Sequence, residues 1–274
     1  MESALWALAF TLLPWPERQK AECWDQIQAG RDPALPDPWR RDLERLEREI
    51  PRLRAQARDR GARLALPGEP EVDRLLRPLP YPVALWVRGS LPPAGPAVAM
   101  VGSREAARPA LDRARSWARA LTAHGVAVVS GLARGIDGAA HTGALEAGPT
   151  WGVMGSGLEH PYPPEHKPLM DRIVVTGGGV ITPFPPEARP LKWHFPRRNW
   201  LLAAWTDGVL VTEARLRSGS LVTARLALDL GKELFVVPGS EGPDTLLQEA
   251  SAYAVEHPSE LLELLQEVPP RGDG

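Results

Sequence analysis

The sequence predicts a doubly wound α/β protein with a mostly parallel sheet, preceded by a small helical segment. Three observations carry that reading. Short apolar runs recur at 97–101, 126–129, 150–154, 180–182, 208–212 and 234–237. Stretches of helical character fall between them, at 106–124, from the 130–137 turn to about 147, and at 197–205, 220–230, 244–249 and 258–267. The runs are apolar at nearly every position, as strands covered on both faces by helices must be. Of the helices, 258–267 carries Leu261, Leu262, Leu264 and Leu265, which read as core packing or as a surface for self-association.

Residues 1–65 read as a separate helical module. Leu5, Leu8, Ala9 and Leu12 have helical spacing, and Pro14 and Pro16 end that helix. A second helix is expected over 38–60, with Leu43, Leu46, Ile50 and Leu53 on one side and alternating charges elsewhere. Pro51 is expected to break it in two. The proline-dense stretch 66–95 is expected to be an extended connection without a helix, holding at most an edge strand over 83–87. The large domain is placed at 66–268 and a tail at 269–274.

Composition bounds the function. Against 34 acidic residues stand 32 Lys and Arg, a net charge of −2, and the single Cys23 excludes a disulfide framework or a cysteine-rich zinc site. The apolar stretch 4–13 is too short to span a bilayer and follows Glu2 where a signal peptide would carry a cation, so a soluble cytoplasmic protein is expected, with no membrane partner. Charge is uneven along the chain. From 189 to 225 seven basic residues face two acidic ones, whereas from 226 onward two face ten. A neutral total therefore coexists with one local anion-binding face.

In open α/β sheets ligands sit beyond the carboxyl ends of the strands, where glycine turns and helix N-termini expose backbone N–H groups. Four such ends are unusual here: Gly102-Ser103-Arg104, the run from Ser130 and Gly131 through Arg134 to Asp137, Gly155-Ser156-Gly157, and the stretch from Glu213 to Ser218, Gly219 and Ser220. Arg104 and Arg134 would supply charge. Neither a dinucleotide G-x-G-x-x-G nor a P-loop follows a strand, no metal-ligand spacing links the six histidines, and no nucleophile elbow occurs. No catalytic residue, metal or cofactor is expected. His141 reads as a packing or capping residue. The segment Leu191-Lys192-Trp193-His194-Phe195-Pro196-Arg197-Arg198-Asn199-Trp200 interleaves cations and aromatics, the combination that single-stranded nucleic acid needs for its backbone and its bases. Pro196 is expected near the start of a helix, with Arg197, Arg198 and Asn199 in its first turn.

Taken in order, these motifs resemble the DNA-processing protein A family (DprA, also called Smf). The match runs through Val101-Gly102-Ser103-Arg104, Ser130 to Asp137 with Ala140-His141, Tyr162-Pro163, Phe195 to Asn199, Glu213-Ala214, Ser218 to Ala224 and Val236-Val237-Pro238-Gly239. The resemblance implies an extended Rossmann-like core behind a small SAM-like helical domain. It also implies a non-enzymatic protein of natural transformation that binds and protects single-stranded DNA and loads a RecA-type recombinase, and it implies a homodimer. By the same resemblance Arg104 and Lys192 contact phosphate, Phe195 stacks a base, Arg198 and Asn199 hold the arginine and asparagine positions beside the variable Arg197, and Gly131, Ser218, Gly219 and Ser220 line a pocket.

The chain departs from the family at Trp200, where a basic residue is usual, so that Trp200 either stacks a base or is buried. Thr182-Pro183 and His166 also differ, and the winged-helix domain of many members has no counterpart before Gly274. A second reading is a phosphoribohydrolase-like nucleotide enzyme, whose glycine motif residues 238–245 echo, with Glu249 downstream.

Overall fold

Each apolar run that predicts a strand forms one in the computed structural model, which describes residues 2–249 and 251–267. The expected domain end at 268 and the tail 269–274 lie outside the described residues. Three helices come first, α1 (Glu2–Leu12), α2 (Glu17–Gln28) and α3 (Asp37–Asp59). Next come β1 (Arg63–Ala65), α4 (Pro70–Leu76) and β2 (Leu85–Gly89). The repeating unit supplies β3 (Ala97–Val101), α5 (Arg108–Ala123), β4 (Ala127–Ser130), α6 (Ile136–Ala144), β5 (Trp151–Val153), α7 (Lys167–Val175) and β6 (Gly179–Thr182). It is followed by α8 (His194–Ala204), β7 (Gly208–Val211), α9 (Gly219–Asp229) and β8 (Glu233–Val236). Last among the described residues are α10 (Glu241–Glu249), β9 (Tyr253–Ala254) and α11 (Pro258–Glu267).

Among the described residues the strands form one nine-stranded sheet in the order β1-β2-β6-β5-β4-β3-β7-β8-β9. From β6 to β9 every pairing is parallel, and β2 runs antiparallel to both β1 and β6. This is the α/β, mostly parallel, Rossmann-like architecture that the sequence predicts. From β3 the chain builds outward through β4, β5 and β6 on one side, and through β7, β8 and β9 on the other. Neighbouring β3 and β7 therefore flank the topological switch point, where a ligand crevice is expected.

The period of two explains why the strand runs are apolar throughout. Ala97, Ala99 and Val101 of β3 face one layer with Val209, Val211, Leu201 and Trp205. Val98 and Met100 face the other, with Leu210, Phe235 and the α5 residues Ala114, Trp117 and Leu121. The first layer also takes in Phe10, Cys23 and Leu46 from the three opening helices and Trp15 from the turn between the first two. β1, which falls inside residues 1–65, forms one edge of the sheet.

Several local expectations are corrected. Pro51 sits inside α3 without breaking it, because Pro51 and Glu47 are exposed and water can serve the carbonyl that lacks a donor. The 66–95 stretch holds the helix α4, which starts on Pro70, a position that needs no N–H. β2 is not an edge strand but lies between β1 and β6. α8 begins at His194, three residues earlier than predicted, so Pro196 is its third residue and still within the turn whose N–H groups lack acceptors. Arg197, Arg198 and Asn199 consequently follow the first three helical residues instead of opening the helix. α2, α7, β1 and β9 were not anticipated from the sequence.

Candidate nucleic-acid interface

β3 ends at Val101 and β7 at Val211, and the chain leaves both strands on the same edge of the sheet. The two turns that follow are joined by the Ser103 N–H, which donates to Glu213 O at 2.7 Å. Gly135, before α6, approaches the first turn so closely that a Cβ there would lie 2.1 Å from Ser103 O, and its φ is +73°. Only glycine fits that position. Between these turns and α8 opens a pocket of about 340 Å³.

The pocket wall brings together residues far apart in sequence. Gly102, Ser103 and Arg104 come from the turn after β3, Ser218, Gly219 and Ser220 from the start of α9, and Arg198 and Asn199 from α8. The start of α9 is suited to an anion: Gly219 has open space beside it, and the Ser218 and Ser220 hydroxyls lie 2.8 Å apart. Arg215 and Glu105 also reach the rim, 3.5 Å from each other and both largely exposed. Sequence reasoning did not single out these two; for Arg215 the local excess of basic residues between 189 and 225 was the available signal.

At the mouth, the Arg104 guanidinium stands 5.5 Å over the Phe195 ring. Phe195 is half-buried, against Gly155 on one side and 5.6 Å from the Tyr162 ring on the other. A Cβ on Gly155 would lie 2.8 Å from the Phe195 ring, so glycine there makes the seat for the aromatic. Lys192 is exposed, just before α8, and has no ion-pair partner among the described residues.

Beneath the pocket lies a buried charge pair. Arg198 donates to Gly131 O, to Val153 O at 2.7 Å and, through Nε, to Asn199 Oδ1 at 3.0 Å. Burial lowers its pKa to about 10, against the opposing pull of Asp137, so the guanidinium stays charged at neutral pH. Burial raises the Asp137 carboxyl, and the Arg198 charge opposes that rise. Asp137 Oδ2 also accepts from the Ala133 N–H at 3.2 Å. Asp137 was noted in the sequence only as part of a motif, and its place on the pocket wall comes from the fold.

Other residues singled out from the sequence sit elsewhere. Ser130 is fully buried and its hydroxyl donates to Met100 O at 2.6 Å. Arg197 points to the opening helices and donates to Phe10 O at 2.9 Å. Arg134 is exposed but paired with Glu165. Trp200 is half-buried, edge-on to Tyr81 at 5.9 Å. His141 is buried with its Nδ1 2.9 Å from Thr150 Oγ1, and His166 Nδ1 lies 2.9 Å from Leu132 O. Residues 238–245, which echo the phosphoribohydrolase motif, form the turn after β8 and the start of α10 and are not part of the pocket wall.

Fold and site thus define a doubly wound α/β protein with a polar, glycine- and serine-lined pocket at its switch point and Arg104 over the Phe195 ring beside it. Residues 65–266 match the family DNA recombination-mediator protein A, and the chain belongs to that family. It is 43% identical to Protein Smf of Escherichia coli over 201 residues, 70% of this chain and 54% of that protein. It is 32% identical to the DNA processing protein DprA of Bacillus subtilis over 89% of this chain and 82% of that protein. The chain thus spans little more than half the length of the first of these relatives. Among solved structures, DNA processing protein A from Streptococcus pneumoniae superposes with a TM-score of 0.63 at 36% identity, covering 69% of each chain. The Helicobacter pylori protein, solved for its single-stranded DNA binding mode, superposes with 0.67 at 27% identity, covering 75% of this chain and 96% of that one. Among the described residues no helix is long and apolar enough to cross a membrane, and no group of side chains could hold a metal ion.

Proposed function

We propose that the protein binds single-stranded DNA during natural transformation, protects it and loads a RecA-type recombinase onto it, without chemical turnover. The observation that carries this is the Arg104 guanidinium over the Phe195 ring, beside a pocket whose wall includes Ser218, Gly219 and Ser220, with the exposed Lys192 three residues before Phe195. A backbone phosphate has cations and helix N–H groups to meet there, and a base has an aromatic ring. The single-stranded DNA binding mode described for the Helicobacter pylori relative supports the same reading. Arg198 and Asn199 shape the pocket wall, Gly102, Ser103 and Ser218 complete its frame, and Gly131 lines the adjoining cleft beside Phe195. Within this reading 1–65 is the SAM-like module, 66–268 is the DNA-binding domain, and the protein works in the cytoplasm as a homodimer.

The test is fluorescence anisotropy with a labelled oligo-dT and its duplex across a salt series. Tight, salt-sensitive preference for the single strand is expected. Phe195→Ala should cost about 1–3 kcal/mol if the ring stacks a base. Lys192→Ala should flatten the logarithmic salt slope by about 0.7, the value for one neutralised phosphate on a single strand. Unchanged affinity with Arg104, Lys192 and Phe195 all replaced by alanine would falsify the site assignment. Light scattering that returns the mass of one protomer would remove the dimer.

A further inference from the structure

We propose that Trp193 is a base-stacking platform for single-stranded DNA, beside the phosphate-binding Lys192. The inference rests on the function proposed above and adds to it a residue that neither the sequence motifs nor the pocket wall singles out.

The argument begins with exposure. Among the described residues, which include all ten tryptophans, Trp193 is the one that is exposed, at 57%. A buried tryptophan removes some 150–250 Å² of surface from water, and this position forgoes most of that gain. A single exposed apolar side chain is unremarkable by itself, so the case depends on how this one is held and what surrounds it.

Trp193 stands on a pinned backbone. The next residue, His194, is buried, stacked on Phe184 with centroids 3.8 Å apart, and its Nδ1 lies 3.2 Å from Gly155 O. The residue after that is Phe195, seated on the same Gly155. Trp193 therefore sits at the cap of α8 between Lys192 and an anchored turn. Its own ring contacts are edge-to-face, with Phe184 at 5.9 Å and 80° and with His194 at 4.2 Å and 83°. Neither neighbour lies flat against the indole. A stiff two-torsion side chain on a fixed cap loses little entropy when a base settles on it.

The other two aromatics of the segment are half-buried and more enclosed. Phe195 has Gly155 and Tyr162 against it and the Arg104 guanidinium over its ring. Trp200 packs against Tyr81. The electrostatics also favour a polyanion: no acidic residue occurs between Glu187 and Asp207, while Lys192 is exposed. An open indole beside a free ammonium matches a nucleotide, whose phosphate and base are adjacent and whose flat face any indole accepts.

The experiment compares wild type, W193A, W193F and K192A, using labelled oligo-dT and an abasic deoxyribose-phosphate oligomer of equal length, over a salt series. Thermal melting checks that each variant folds. W193A is expected to weaken oligo-dT binding about 5- to 160-fold, the range for one stacked base. Its salt slope and its affinity for the abasic oligomer should match wild type, and W193F should recover most of the loss. K192A should weaken both oligomers and flatten the slope. W193A binding oligo-dT as wild type does, or losing both oligomers equally, overturns the stacking role while the DNA-binding reading stands. Wild type that binds neither oligomer removes both.

Discussion

Neighbouring residues of one helix carry three different duties at this site. Arg197 braces the opening helices through Phe10 O, Arg198 spans the pocket floor from Gly131 to Val153, and Asn199 links Arg198 to Gly219 O at 3.3 Å. Successive helical residues point about 100° apart, so a run of like residues is divided among different faces. Replacing Arg198 with alanine leaves Asp137 buried without its partner and should destabilise the protein by about 3–5 kcal/mol in urea unfolding. Gly155→Ala tests the seat of the aromatic: its Cβ would meet the Phe195 ring at 2.8 Å. DNA affinity should fall by about as much as in Phe195→Ala, with a smaller change in stability. In the sequence, the cluster of cations and aromatics was legible as a group. Which members reach the pocket was not, because that depends on burial against strands distant along the chain.

At the scale of elements, the legible ones were those whose pattern is set locally. β3, β4 and β7 are buried on both faces and read as unbroken apolar runs. α2 escaped notice because its sequence is mostly polar and buries only Lys20 and Cys23. α4 is seven residues long among prolines, and α7 ends in Ile173-Val174-Val175, which resembles a strand. Helix pairs show how tightly the elements are set. A Cβ on Gly143 of α6 would lie 1.9 Å from Arg115 O of α5. Gly143→Ala must push the two helices apart, and it should cost about 1–3 kcal/mol or more, read as a lower melting temperature. The proposed DNA site, at the other end of α6 beside Asp137, should lose less affinity than stability.

The molecule as a whole carries a built-in acid sensitivity. His141 is fully buried, and desolvation pushes its pKa down to about 3 from the ordinary 6.5. A histidine lowered in this way contributes stability that is present above 6.5 and is lost as pH falls from there towards 3. The loss approaches about 1.4 kcal/mol per pH unit within that window. Urea midpoints at several pH values should show a steeper acid decline for wild type than for His141→Gln, and the difference in slope isolates this group from the other titrating side chains. The same long-range assembly makes the site. β3 and β7 become neighbours although the Asp207 Oδ2 bond to the Ala97 N–H, 2.8 Å long, closes a separation of 110 residues. The sequence by itself determined the α/β alternation, the order of the motifs and the segment that holds cations and aromatics, since these are written in local periodicity and composition. Only the tertiary structure decided that the opening helices share a core layer with the sheet, that Ser130 and Arg197 face away from the pocket, and that Trp193 stays open. Those outcomes depend on which distant strands and helices become neighbours, and side-chain burial follows from that adjacency.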